Sequence, residues 1–163
     1  MIEAIIVEIV RVESRTEPPA TQVEYAVKNN SSGPVWVVND NWLIWSQAGK
    51  AIELSFKRGS MRKGSEVFGY FPPAVVRVDP GGSIRATIEL AWPQRLDRLW
   101  NADSAAAPLP GEYDLRVRIG YGLTPEPEKP KHGEGVEDPV FRWQQEATSP
   151  ASTMTIPAYA GSA

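Results

Sequence analysis

Three tryptophans, one out of step with its neighbours and two beside a polar turn, and one short basic loop are the candidate recognition chemistry of this 163-residue chain. Trp36 has the opposite parity to Val35 and Val37, and Trp42 and Trp45 follow the polar turn Asn39-Asp40-Asn41. As an exposed or half-exposed patch, these indoles could stack on sugar rings or anchor a partner protein. Lys57, Arg58, Arg62 and Lys63 form a basic loop suited to an acidic partner. The candidate binding residues are therefore Trp36, Trp42, Trp45, Arg58, Arg62 and Lys63. Trp92 and Trp143 share parity with inward-facing residues and are assigned to the core.

Catalytic chemistry finds little to work with. His132 is the single histidine, and it lies in the charged stretch Glu128 to Glu134. A general base must be held within hydrogen-bond reach of its target, and nothing in that stretch predicts rigidity. Glu112 and Asp114 share a strand face as a carboxylate pair would, but Arg116 and Arg118 share it too, which describes a charge-balanced solvated surface. Asn39-Asp40-Asn41 offers oxygen ligands to calcium without the bidentate glutamate that would follow in a built loop. The absence of cysteine removes thiol nucleophiles, thiolate metal sites and disulfides. No nucleophile elbow, phosphate loop or zinc-protease motif occurs. The expectation is a protein that is not an enzyme and carries neither metal nor cofactor.

The bulk numbers set the remaining bounds. A hydrophobic share of 42% and a charged share of 23% are ordinary for a globular protein. A chain of this length buries roughly 70% of its unfolded surface and needs no staple. Net charge of −3 weighs against a nucleic-acid partner, whose phosphates ask for a basic face. The first apolar run, Ala4 to Val7, is too short for a signal peptide, and no run is long enough to cross a membrane. These features predict a cytoplasmic protein, or a periplasmic or secreted one if a leader has been removed.

The elements that must position the tryptophans are strands. From Glu112 to Tyr121, the residues Tyr113, Leu115, Val117, Ile119 and Tyr121 fall on one face, after the turn Pro110-Gly111. From Ser83 to Trp92, the residues Ile84, Ala86, Ile88, Leu90 and Trp92 do the same, after Asp79-Pro80-Gly81-Gly82. Period two marks a strand with one dry and one wet face. Pro80 and Gly81 suit the two central positions of a type II turn. In the first strand, Ile5, Val7 and Ile9 share one parity while Val10 and Val12 share the other, which predicts a β-bulge or a change of sheet between Ile9 and Val10. Further strands are expected at Thr21–Asn29, Val35–Val38, Trp42–Trp45, Ala51–Lys57, Glu66–Phe71, Ala74–Val78, Val140–Glu146 and Thr153–Ile156. A short helix is expected near Trp92–Trp100, where Trp92, Leu96, Leu99 and Trp100 take helical spacing.

The fold class is thus all-β: a two-sheet antiparallel sandwich in one domain spanning 1–157, with 158–163 as a frayed tail. The run Leu109-Pro110-Gly111-Glu112-Tyr113-Asp114-Leu115-Arg116-Val117 resembles the penultimate strand of immunoglobulin-like and fibronectin-like sandwiches. That resemblance puts Tyr113 at the tyrosine-corner position and extends over the hairpins Thr21–Val38 and Asp79–Leu90. The paired Asn-rich and Pro-Gly turns are loosely similar to those of bacterial intracellular proteinase inhibitors. The expected function is a non-enzymatic protein-binding module acting through loops or an edge strand, in an inhibitor, immunity-type or adaptor role. The alternative is a carbohydrate-binding module built on surface tryptophans. A weak homodimer through an edge strand such as Ala51–Lys57 or Thr153–Ile156 is also expected.

Overall fold

The computed structural model describes residues 4–39, 44–57, 74–93, 107–127 and 143–161, with the backbone alone at 44–46. Among these residues the chain forms ten strands: β1 (Ile5–Thr16), β2 (Pro19–Asn29), β3 (Val35–Val38), β4 (Ile44–Ala48), β5 (Ala51–Phe56), β6 (Val75–Val78), β7 (Ser83–Ala91), β8 (Gly111–Gly122), β9 (Gln145–Thr148) and β10 (Ser152–Ile156). They make two sheets. The first has the order β1-β2-β7, and the second is built around β8. Inward residues of both sheets meet in one core, where Val23, Leu54, Leu115, Val117, Ile119 and Met154 are fully buried.

The alternation read from the sequence places this core. All five odd-numbered residues from Tyr113 to Tyr121 on β8 are buried. Trp92 is buried as expected, and its Nε1 donates to Thr21 Oγ1 at 2.9 Å. The β1–β2 register shifts between Ile9 and Arg11, which leaves Val10 as the extra residue of a bulge, exposed on the first strand. The Asp79–Gly82 turn is type II: Gly81 takes φ +77°, and Gly82 N–H donates to Asp79 O at 2.8 Å. The first hairpin is tighter than its charged residues suggest, because β1 runs to Thr16 and β2 restarts at Pro19.

β8 organises the second sheet. Tyr121 pairs with Gln145 of β9 and also with Val37 of β3, and Asp114 pairs with Thr153 of β10 and also with Ala51 of β5. A strand has two edges, so β10 and β9 line one edge of β8 in succession, while β5 and β3 line the other. β10 and β9 are nearly one strand. Arg116 and Val117 on β8 face Ser149, Pro150 and Ala151, a bulge whose proline has no ladder bond to lose. Ser149 closes it: its N–H donates to Val117 O, and Val117 N–H donates to its Oγ at 2.9 Å.

Two expectations need correction. The sandwich is not wholly antiparallel, since β5 runs parallel to β8 from Ala51/Asp114 to Phe56/Ile119. Alternation reports which face of a strand is dry, and it is blind to the direction of the neighbour. Nor is Ala51–Lys57 an edge, because β5 lies between β4 and β8. Thr153–Ile156 pairs with β8 alone among the described residues, but Ser14 Oγ and Thr21 Oγ1 both donate to Thr155 O, at 2.5 and 3.1 Å. The segments Glu66–Phe71 and Gln94–Trp100, with the expected helix, lie outside the described residues. Beyond β10, the half-buried Tyr159 packs on the core and its hydroxyl donates to Pro108 O at 2.6 Å. Among the described residues no helix is long and apolar enough to cross a membrane.

The loops at one end of the sandwich meet on Asn29, which is fully buried. Its Nδ2 donates to Gly33 O and to Val78 O, both at 2.9 Å. Its Oδ1 accepts from Ser31 N–H at 2.9 Å and from Ser31 Oγ at 2.6 Å. Its backbone completes the junction, taking a bond from Gly81 N–H and giving one to Gly82 O. One side chain therefore ties the β2–β3 crossover to the β6–β7 turn.

Candidate functional site

β3 carries the site's first residue. Val35 and Val37 point into the core, so the strand period turns Trp36 to the solvent side of the second sheet, where it is half buried. Its register partners are Arg77 on β6 and Gly122 on β8. The Arg77 guanidinium lies over the Trp36 ring, 5.6 Å from its centroid. Asp79 holds it there through Nε–Oδ1 at 2.9 Å. A cation over an exposed indole contributes about 0.5–1 kcal/mol, enough to keep the arginine on the ring for much of the time.

On the other side of Trp36, Gly122 leaves the backbone bare, and the indole of Trp143 fills the space. A Cβ at Gly122 would overlap that ring. Gln144 and Lys57 fill the space over Gly120 in the same way. Trp143 Nε1 donates to Thr124 O at 2.9 Å and to its hydroxyl at 3.0 Å. Trp143 is half buried on the outer face and is not in the core, contrary to the parity assignment. The reason is that β9 begins at Gln145, so the strand period cannot be carried back to position 143.

A ladder of alternating charge continues the face away from the aromatics. Lys57 Nζ meets Glu146 Oε1, Arg118 Nη1 meets Glu146 Oε2 at 3.1 Å, and Arg118 Nη2 meets Glu53 Oε2 at 3.1 Å. Ser55 Oγ donates to Glu53 at 3.1 Å. These half-exposed pairs contribute little stability each, about 0–1 kcal/mol, but they fix the surface's shape. Burial pushes the Glu146 carboxyl up, and the hydrogen bonds and charges of Lys57 and Arg118 together outweigh it, so its pKa is lowered. A lowered folded pKa means stability that is present above the ordinary glutamate range and lost as pH falls through the folded value. Acid titration of unfolding should therefore show a smaller loss in Glu146→Gln than in the parent, measured by urea midpoints through the acidic range.

Of the residues named from sequence, only Trp36 is in this site with its side chain described. Trp45 lies on β4 with Leu54 as its register partner, with β5 between it and β8. Trp42, Arg58, Arg62 and Lys63 lie outside the described residues, as do His132, Asp40 and Asn41. Lys57, which leads into the basic loop, reaches the site through Glu146. Sequence reading missed Arg77, Trp143 and the glycine pair. The available signal was Gly120-Tyr121-Gly122, two bare positions on the outward parity of a strand otherwise filled there by charged residues.

The face offers two indoles, a guanidinium and a fixed row of charges on a sheet, which suits non-covalent contact. Glu112 and Asp114 are exposed and do not converge on a cleft. Among the described residues, no group of three His, Asp or Glu side chains could hold a metal ion. A shallow depression of about 420 Å³ lies elsewhere, by Glu13, Ser14, Arg15, Ala20 and Gln22. Comparison with family models, with curated proteins and with solved structures finds no match.

Proposed function

We propose that the protein is a non-enzymatic binding module that recognises another protein through the outer face of its second sheet. The observation that carries this is Trp36, half buried on the solvent side, capped by Arg77 and sharing Gly122 with Trp143. Tryptophan and arginine dominate the energetics of protein interfaces, most of all where a scaffold holds them in place before contact. An inhibitor, immunity-type or adaptor role all fit such a face. The missing cysteines fit a reducing compartment such as the cytoplasm.

An immunoglobulin-like topology is part of this proposal. What supports it is the Tyr113 hydroxyl, which donates to Leu109 O at 2.6 Å, four residues upstream at the start of β8. A tyrosine corner makes the same bond at the same place in such sandwiches. Arg77 also favours protein over carbohydrate as the partner. It occupies the ring face on which a sugar would have to stack.

Affinity capture with the whole chain tests the proposal. The parent should retain a stoichiometric partner, and Trp36→Ala should lower its affinity by about 2 kcal/mol, roughly 30-fold, with an unchanged circular dichroism spectrum. A sugar panel should leave tryptophan fluorescence unaltered. Repeated capture without a stoichiometric partner, or saturable quenching by a sugar, would reject it.

A further inference from the structure

The two rims of the first sheet are built differently. β1 carries the Val10 bulge and the charges of Glu8, Arg11, Glu13 and Arg15. Bulges and charges are the usual protection of a strand edge. β7 runs nine residues, Ser83–Ala91, paired in unbroken register with β2 alone among the described residues. It has no bulge, no proline and no lysine. Its inward residues are also left short of cover. Ile84, Ala86 and Ile88 are half buried, whereas their β2 partners Val27, Tyr25 and Val23 are buried.

We propose that β7 pairs antiparallel with β7 of a second copy, about a two-fold axis at Thr87, to make one continuous sheet. Backbone phase permits it. At the ends of the β2–β7 ladder, Trp92 N–H donates to Pro19 O and Asn29 N–H donates to Gly82 O. Bonded pairs alternate along an antiparallel ladder, so the even-numbered residues bond to β2. The odd-numbered Ser83, Arg85, Thr87, Glu89 and Ala91 turn their N–H and C=O groups to the rim.

Charge then selects the register. With the axis at Thr87, Arg85 of each copy stands opposite Glu89 of the other, and the two threonines face each other. An axis at Arg85 or at Glu89 would set like charges opposite. Within one chain Arg85 already meets Glu24 at 3.3 Å, and Glu89 meets Arg15 at 2.5 Å. The seam therefore completes a row Arg15, Glu89, Arg85, Glu24 that alternates in sign across both copies. On the inner face, Ile84 meets Leu90 of the second copy and Ala86 meets Ile88, which covers the half-buried row. The face that holds Trp36 lies on the other sheet and stays open, so a dimer presents it twice.

Sedimentation of the full chain tests this. The parent should approach twice the 18.0 kDa of one chain as its concentration rises through the micromolar range. Thr87→Lys and Thr87→Glu each set like charges on the axis and should sediment as monomers with unchanged circular dichroism. Mixed in equal amounts they should recover the dimer, which a folding defect would not allow. A monomeric parent, a dimer indifferent to either substitution, or a mixture that stays monomeric would each overturn the proposal. The Trp36→Ala variant should dimerise like the parent, which separates this inference from the partner-binding proposal.

Discussion

Asn29→Ala is expected to lower the free energy of unfolding by about 3–4 kcal/mol, with a fall in melting temperature of about 10 °C. The side chain is fully buried and satisfies two carbonyl oxygens, one backbone N–H and one hydroxyl. Alanine leaves Ser31 N–H without its acceptor and takes the amide donor from Val78 O and from Gly33 O, which keeps only the Ser31 hydroxyl at 2.9 Å, and each such loss costs about 1–3 kcal/mol before relaxation or water entry reduces it. Asp at this position should be worse than Ala above the carboxylate range, since it sets a buried anion against two carbonyl oxygens. Asn30, next in sequence and exposed, gives the control: Asn30→Ala should stay within about 0.5 kcal/mol of the parent. Urea denaturation of the three variants decides the matter. A loss at Asn29→Ala no larger than at Asn30→Ala would show that the junction of the β2–β3 and β6–β7 turns is held by the backbone alone.

Asn29 also marks a boundary of what sequence can tell. In the run Asn29-Asn30-Ser31-Ser32-Gly33-Pro34 every residue has a turn-forming reason, so the composition announces a turn and says nothing of which side chain is buried. That depends on Val78, 49 residues away, whose carbonyl must be met. The same division runs through the rest of the fold. The parity of Tyr113 to Tyr121, the phase break at Val10 and the Pro80-Gly81 turn are local, and all three appear as read. The parallel partnership of β5 and β8 and the interior position of β5 are set between distant segments, and parity carries no trace of them. β7 and β8 show the same alternation, yet β8's inward residues are buried and three of β7's are only half buried. Sequence sees the pattern but not whether a strand lies at a rim. The site was half legible for the same reason. Trp36 was visible because it breaks a local period, whereas Arg77 and Trp143 join it only through pairing with β6 and packing on β8.

Gly122→Val should eject Trp143 from the outer face, with a loss of about 2–3 kcal/mol in stability and of partner binding together. The position tolerates no Cβ while the indole lies against the backbone. Relief by a small shift is not available, because Trp143 is tethered by its Nε1 bonds to Thr124 and by Gln144 lying over Gly120. The inward neighbour Tyr121 faces the core, so the substitution strikes the site and leaves the interior packing intact. A double-mutant cycle with Trp143→Ala separates the two effects. If the glycine exists to admit the indole, valine should cost little once the ring is gone, with a coupling of about 1–2 kcal/mol. If Gly122 instead serves the β3–β8 ladder, the two losses should add. Partner affinity gives a second readout: Gly122→Val and Trp143→Ala should weaken it to the same extent, because both leave Trp36 and Arg77 without the neighbouring ring. Equal affinity in the parent and both variants would confine recognition to Trp36 and the charged row, and Trp143 would then be a structural cover for a glycine-bared strand.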